Sequence, residues 1–193
     1  MLKLNKDLLF EINHRIKLKL ILSLSSNSNE LKLDVGCGDK RYTKHLRNCI
    51  GIDPFSDYQG DLVIITPDIK ATSYALPFRD GVFSEVHFHD VLEHVPEIKE
   101  TIAEADRVLE KDGKLIILSP HDRNWWILKV LLWRWSPEKA SEHTKNGFLH
   151  REHIHDLHGD KILDYINGFI LEKKNKIPSR MFPLTTGVRL CKD

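Results

Sequence analysis

The run Leu31-Lys32-Leu33-Asp34-Val35, followed at once by Gly36-Cys37-Gly38, constrains this chain more than any other stretch. The first five residues have the length and apolar content of a short buried strand. Two glycines one residue apart then let the backbone turn sharply, and let a ligand approach it with no side chain in the way. A helical stretch over about residues 41–47 follows. A helix start offers unpaired N–H groups to a carboxylate or phosphate. Asp53 closes the next apolar run, Cys49-Ile50-Gly51-Ile52-Asp53. An acid at the end of a second strand accepts hydrogen bonds from ribose hydroxyls and repels a 2′-phosphate. The combination reads as a site for a nucleoside-bearing ligand with a free ribose. A turn with a helix-capping aspartate is the plainer reading of the same residues.

Further apolar runs at 62–65, 83–88 and 114–118 read as third, fourth and fifth strands. Between the last two, Ile98, Ile102, Ala105 and Leu109 stand at helical spacing. Strands that alternate with helical segments predict an α/β fold, a parallel sheet with helices on both faces. Only residues 54–60 separate the second and third strands, fewer than the dozen or so that a parallel crossover needs. Either a tight loop replaces the helix there or the third strand lies elsewhere. Ahead of the sheet, Leu8, Leu9, Ile12, Ile16, Leu20 and Leu24 predict an amphipathic helix over 7–26, ended by Ser25-Ser26-Asn27-Ser28-Asn29. A helix is predicted over 153–166, and 169–174 with 187–191 are predicted as an antiparallel edge pair.

A chain of 193 residues fits one domain. Lys and Arg total 29 against 28 Asp and Glu, which argues against a protein that grips nucleic acid through a broad basic surface. Cys37, Cys49 and Cys191 are odd in number and widely spaced, so neither a disulfide framework nor a structural zinc site is expected. Lys6, Asp7, Glu11, Arg15, Lys17 and Lys19 interrupt the N-terminal apolar residues, so neither a secretion signal nor a membrane span is expected there. A cytoplasmic location follows as the expectation.

Four segments, in order, resemble the class I S-adenosylmethionine-dependent methyltransferases, in particular the small-molecule, type 11-like branch. Leu33-Asp34-Val35-Gly36-Cys37-Gly38 is similar to the family's glycine loop and Gly51-Ile52-Asp53 to its ribose-binding acid. Ala75-Leu76-Pro77-Phe78, leading to Phe83, resembles the stretch before the fourth strand, and His89-Asp90-Val91-Leu92-Glu93-His94-Val95 the segment after it. Arg107-Val108-Leu109 ahead of Gly113 also fits. The resemblance is specific over residues 31–120 and weaker beyond. It implies a three-layer Rossmann-like fold, a seven-stranded, mostly parallel sheet with an antiparallel last strand. It divides residues 1–193, as a single domain, into an N-terminal helix (1–30), a cofactor-binding core (31–120) and an acceptor-site tail with the terminal strand pair (121–193).

The resemblance also implies residue roles. Gly36, Cys37 and Gly38 would pass close to the cofactor, Asp34 would help hold its amino group and Asp53 its ribose. Asp68 or Thr72, with Tyr74 or Ala75, would edge the adenine, and His89 and Asp90 would face the sulfonium and the acceptor. The chain departs from the pattern in three places. Lys40 replaces a third glycine, Asp68 stands eight residues before Leu76 where four are usual, and Ser84-Glu85 replace an aspartate early in the fourth strand.

A hydroxyl acceptor calls for a general base. His121 and His89 are the leading candidates, with His94 and His150 behind them. Trp125, Trp126, Trp133 and Trp135 fall in one apolar stretch, which reads as a substrate lid, a packed helix or an interface. His143, His150, His153, His155 and His158 cluster without a companion ligand motif, so no metal is expected. His143, Phe148 and His150 could correspond to acceptor-site residues of this family branch. The resulting expectation is transfer of a methyl group to a small or lipid-like acceptor at oxygen, with no nucleic-acid partner. A methyltransferase for RNA or protein and a non-catalytic cofactor-binding scaffold are the alternatives. A nicotinamide dehydrogenase is disfavoured, because Arg41 stands where the last glycine of its loop belongs.

Overall fold

The computed structural model describes residues 6–55, 59–60, 63–64, 66–121, 161–179, 181 and 183–193, with positions 124, 127, 155 and 157. In chain order the elements are α1 (Lys6–Leu24), β1 (Lys32–Val35), a 3-10 turn (Thr43–His45), β2 (Cys49–Asp53), β3 (Gln59–Gly60), β4 (Val63–Ile64), β5 (Ile69–Lys70) and β6 (Phe83–His89). After these come a 3-10 turn (Leu92–His94), α2 (Ile98–Val108), β7 (Leu109–Pro120), a 3-10 stretch (Lys161–Tyr165), β8 (Phe169–Pro178) and β9 (Pro183–Lys192). Seven strands make one sheet in the order β5-β2-β1-β6-β7-β9-β8. The first five run parallel; β9 is antiparallel to both β7 and β8.

The two faces of the sheet bury different chemistry. On one, Leu33, Val35, Val86, Phe88, Leu115 and Ile117 meet Ile98, Ile102, Ala105 and Val108 of α2 in the main core. On the other, Leu20, Ile21 and Leu24 of α1 pack on Ile116 and Leu118. Gly187 of β9 lies under this contact, where a Cβ would stand 2.8 Å from Leu24. Beside that apolar seam, β1 and β6 turn Lys32, Asp34, Glu85, His87 and His89 to the same face, and all five are buried. Period-2 alternation thus gives β6 an apolar side and a polar side, both covered.

Three expectations need correction. The third strand of the sheet is β5, not 62–65; β4 instead pairs with β3 in a separate antiparallel hairpin. Residues 54–68 then connect β2 to β5, a length that a parallel crossover can use. The helix expected at 41–47 is only the Thr43–His45 turn, which ends as Leu46 becomes extended. The helix expected at 153–166 is a 3-10 stretch over Lys161–Tyr165, with most of its first half outside the described residues. The terminal strands form the expected antiparallel pair at the edge of the sheet, with β9 between β7 and β8. Among the described residues no helix is long and apolar enough to cross a membrane.

Among the described residues, Leu20, Ile21 and Leu24 are the buried apolar side chains of α1, so each matters. Leu24→Ala, at a fully buried position, should lower the unfolding free energy by about 2–5 kcal/mol in urea denaturation. A loss below about 1 kcal/mol would show that α1 is not docked there.

Candidate active site

The parallel strands β1, β2 and β6 end side by side, and the loops beyond them form the site. The Gly36 and Cys37 N–H groups both donate to the Ile52 carbonyl, at 2.8 and 2.9 Å, which staples the loop to β2. Gly36 (φ +72°) and Gly38 (φ +53°) both lie in the left-handed region. A Cβ on Gly36 would stand 2.6 Å from Val91, whereas one on Gly38 would meet nothing within 4 Å. Gly36 therefore serves packing, and Gly38 leaves open space. Cys37 is buried, and burial with the nearby Asp34 carboxylate pushes its thiol up to about 12, so it stays protonated.

Asp53 is 7% exposed and accepts the Gly38 N–H at 3.1 Å and the Phe55 N–H at 3.0 Å. The Ala71 N–H donates to the Asp53 carbonyl at 3.2 Å, which brings the half-buried Thr72 near the same corner. Asp68 accepts the Gly51 N–H at 2.8 Å and pairs with the Lys40 ammonium. Burial works to raise the Asp68 carboxyl, but Lys40 and the Gly51 N–H outweigh it and hold it below its usual range. Lys40 itself has φ +58°, the conformation a glycine takes at no steric expense. Two departures from the family pattern, Lys40 and the displaced Asp68, are thus each other's partner. Ala75 is exposed, and the N–H of its neighbour Leu76 donates to Glu104 of α2 at 2.7 Å.

At the end of β6, His89 is buried and Asp90 has φ +55°. Lys17 of α1, also buried, donates to Asp90 Oδ2. The Tyr42 ring meets His89 edge-on, with centroids 5.5 Å apart, and stacks on His14 of α1 at 4.9 Å. Asp34 is 2% exposed; it takes a hydrogen bond from the Thr43 hydroxyl, and its other oxygen lies 3.2 Å from His89 Nδ1. Burial works to raise the Asp34 carboxyl, but His89 and Thr43 hold it below its usual range.

His121 ends β7 and is buried, with Nε2 2.6 Å from the Thr186 hydroxyl of β9. His94 closes the turn after β6. Trp125, Trp126, Trp133, Trp135, His143, Phe148, His150, His153 and His158 lie outside the described residues.

Residues 33–117 match the family model described as a methyltransferase domain, of the type 11 branch. Over those residues this chain is similar to methyltransferase domains. An S-adenosylmethionine-dependent methyltransferase of Thermotoga maritima shares the fold, with a TM-score of 0.58 at 19% identity over 95% of this chain and 93% of that one. Geranyl diphosphate methyltransferase in complex with S-adenosylmethionine gives 0.62 at 10% identity, over 97% and 90%. An uncharacterized protein of Methanocaldococcus jannaschii, MJ1252, is 27% identical over 138 residues, 69% of this chain and 55% of that protein. The chain spans about half the length of the curated relatives it matches. S-adenosylmethionine is the cofactor of such domains, and the residues present fit it. Gly38 offers backbone with open space above it, and the adjoining Asp53 carboxylate suits a diol.

Lys17, His14, Tyr42 and Thr43 escaped sequence reasoning, because long-range packing of α1 and of the loop brings them to β6. Only the pairing of Lys40 with Asp68 had a signal, since both broke the expected pattern. The two loop glycines should separate experimentally. Gly36→Ala combines a left-handed φ, about 1–2 kcal/mol, with a clash on Val91, and should destabilise by clearly more than that in urea unfolding. Gly38→Ala should cost only the backbone strain, about 1–2 kcal/mol. Equal losses would contradict the assignment of open space to Gly38.

Proposed function

We propose that this protein transfers a methyl group from S-adenosylmethionine to a small, apolar or lipid-like acceptor, at an oxygen nucleophile. The observation that carries the reading is the corner where the Gly38 N–H and Asp53 meet beneath open space. The cofactor supplies an electrophilic methyl group when bound, so the protein's task is alignment and exclusion of water. Gly36 and Gly38 bring bare backbone to the ligand, with Cys37 between them as a protonated, apolar wall. Asp53 is pre-oriented by two backbone N–H groups to receive a ribose diol. Asp68, Thr72 and Ala75 are the proposed adenine edge, with Asp68 fixed by Lys40. Asp90, held by Lys17, faces the place where acceptor and methyl group meet. His121 is the proposed base, its ring oriented by Thr186 at the end of β7.

Near-balanced charge supports a small acceptor over RNA. So does His89-Asp90-Val91-Leu92 after β6, where base- and amide-methylating enzymes of this fold carry an Asn-Pro-Pro-Tyr-type motif.

Calorimetric titration with S-adenosylmethionine and S-adenosylhomocysteine tests the cofactor site. Both should bind in the micromolar range, NAD should not, and Asp53→Ala should weaken binding by about 10–100-fold, the worth of hydrogen bonds to a charged group. Labelled methyl transfer against an acceptor panel tests the rest. His121→Ala should slow turnover by about 10²–10⁴-fold. Labelled RNA or protein as the product would contradict the small acceptor, and binding without turnover on any acceptor would favour a scaffold.

A further inference from the structure

The buried polar side of β6 makes a series of contacts that ends at the glycine loop. Glu85 Oε2 lies 2.9 Å from His87 Nε2. His87 Nδ1 lies 3.3 Å from His89 Nε2. His89 Nδ1 lies 3.2 Å from Asp34 Oδ1, an ion-pair contact, and neither of these two atoms has another hydrogen-bond partner among the described residues. The four side chains are buried, His87 completely.

Three contacts in series need three hydrogens. Two ionised carboxylates supply none, and two neutral imidazoles supply one each. If the third were missing, two lone pairs would face each other out of reach of water, which is strongly unfavourable. The row therefore holds one proton more than its neutral imidazoles carry. Burial pushes the His87 ring toward its neutral form, and the hydrogen bonds from His87, Ser25 and Ser26 hold the Glu85 carboxyl below its usual range. Neutral His87 then donates to Glu85 and accepts from His89, which leaves the extra proton on His89.

We infer that His89 is an imidazolium held between His87 and Asp34, and that it acts as a positioning residue for the glycine loop rather than as a general base. Both ring nitrogens donate, so neither offers a lone pair to an acceptor hydroxyl. The cation anchors Asp34, and Asp34 anchors Thr43 after the loop. The far end is tied to α1, because the Ser26 N–H and the Ser25 hydroxyl donate to Glu85. The surroundings permit the charge. From α1, Lys17 is spent on Asp90, and His14 faces Tyr42 rather than the row. From β1, the Lys32 ammonium donates to the carbonyls of Ser28 and Arg47. On β2, burial pushes the Cys49 thiol up, so it stays neutral. On the same face β7 presents Ile116 and Leu118.

Glu85→Gln tests this with little change of shape. The amide donates to His87, and with its second hydrogen to Ser25, so all three contacts are filled without the extra proton. In nitrogen NMR of the histidine-labelled protein near pH 7, His89 should carry hydrogens on both ring nitrogens in the wild type and on one in Glu85→Gln. A singly protonated wild-type His89 would overturn the inference, whether or not the variant folds. The positioning role rests on the proposed cofactor site and is read by titration with S-adenosylhomocysteine. At pH 7 the variant should bind about tenfold more weakly, the difference between a charged and a neutral contact. As pH rises, the wild type should lose affinity where NMR shows the proton leaving, and the variant should lack that step. Equal affinities and equal pH profiles would overturn the positioning role. Wild-type protein that fails to bind, with His89 doubly protonated, would overturn the cofactor reading and leave the proton count standing.

Discussion

The carboxyl edge of this sheet depends on a buried row of charge. Glu85, His87, His89 and Asp34 occupy the positions where a sheet covered by a helix ordinarily buries hydrocarbon. Breaking one member of such a set leaves an unpaired charge out of water, a loss of about 3–5 kcal/mol. Each member is therefore bound to its neighbour, and the ends are bound to other elements: Ser25 and Ser26 beyond α1 at one end, Thr43 after the glycine loop at the other. The row couples the docking of the N-terminal helix to the shape of the cofactor loop.

That coupling explains a loop with so little helix behind it. A helix start normally orients the N–H groups of such a loop, but here only one 3-10 turn follows. Other contacts do the orienting. The Ile52 carbonyl receives two loop N–H groups, Asp53 receives a third, and Thr43 is tied to Asp34. Lys40, in a left-handed conformation, reaches Asp68 at the start of β5 and closes the corner between β2 and the loop. On the other side Lys17 brings α1 to Asp90, itself in a left-handed conformation. Strain of this kind gathers where structure around it holds a functional geometry.

Much of this was legible in the residues. The apolar runs of β1, β2 and β6, the glycines between strand and loop, and Asp53 at the end of β2 stand where local pattern places them. Other parts were not. Ile69–Lys70 is two exposed residues long, and no hydrophobic pattern marks such a strand; its place is set by pairing with Ile52 and Asp53. The 41–47 segment keeps helical composition, but Leu46 turns extended to bury its side chain with α1. In Glu85-Val86-His87-Phe88-His89 polar and apolar residues alternate, but read as part of one strand run they do not show which partners satisfy the polar side. Among the described residues, Lys17 of α1 and the Ser25-Ser26 segment that follows the helix reach that side from far along the chain. For the same reason Lys17 and His14 carried no local mark of a site.

The proposed cofactor site lies at the ends of β1, β2 and β6, and a crystal structure of the protein with S-adenosylhomocysteine tests it. The ribose hydroxyls should lie on the Asp53 carboxylate and the ligand against Gly38, with the Glu85-His87-His89-Asp34 row unbroken beneath. A ligand bound elsewhere on the sheet, or at this edge without contact to Asp53, would contradict it.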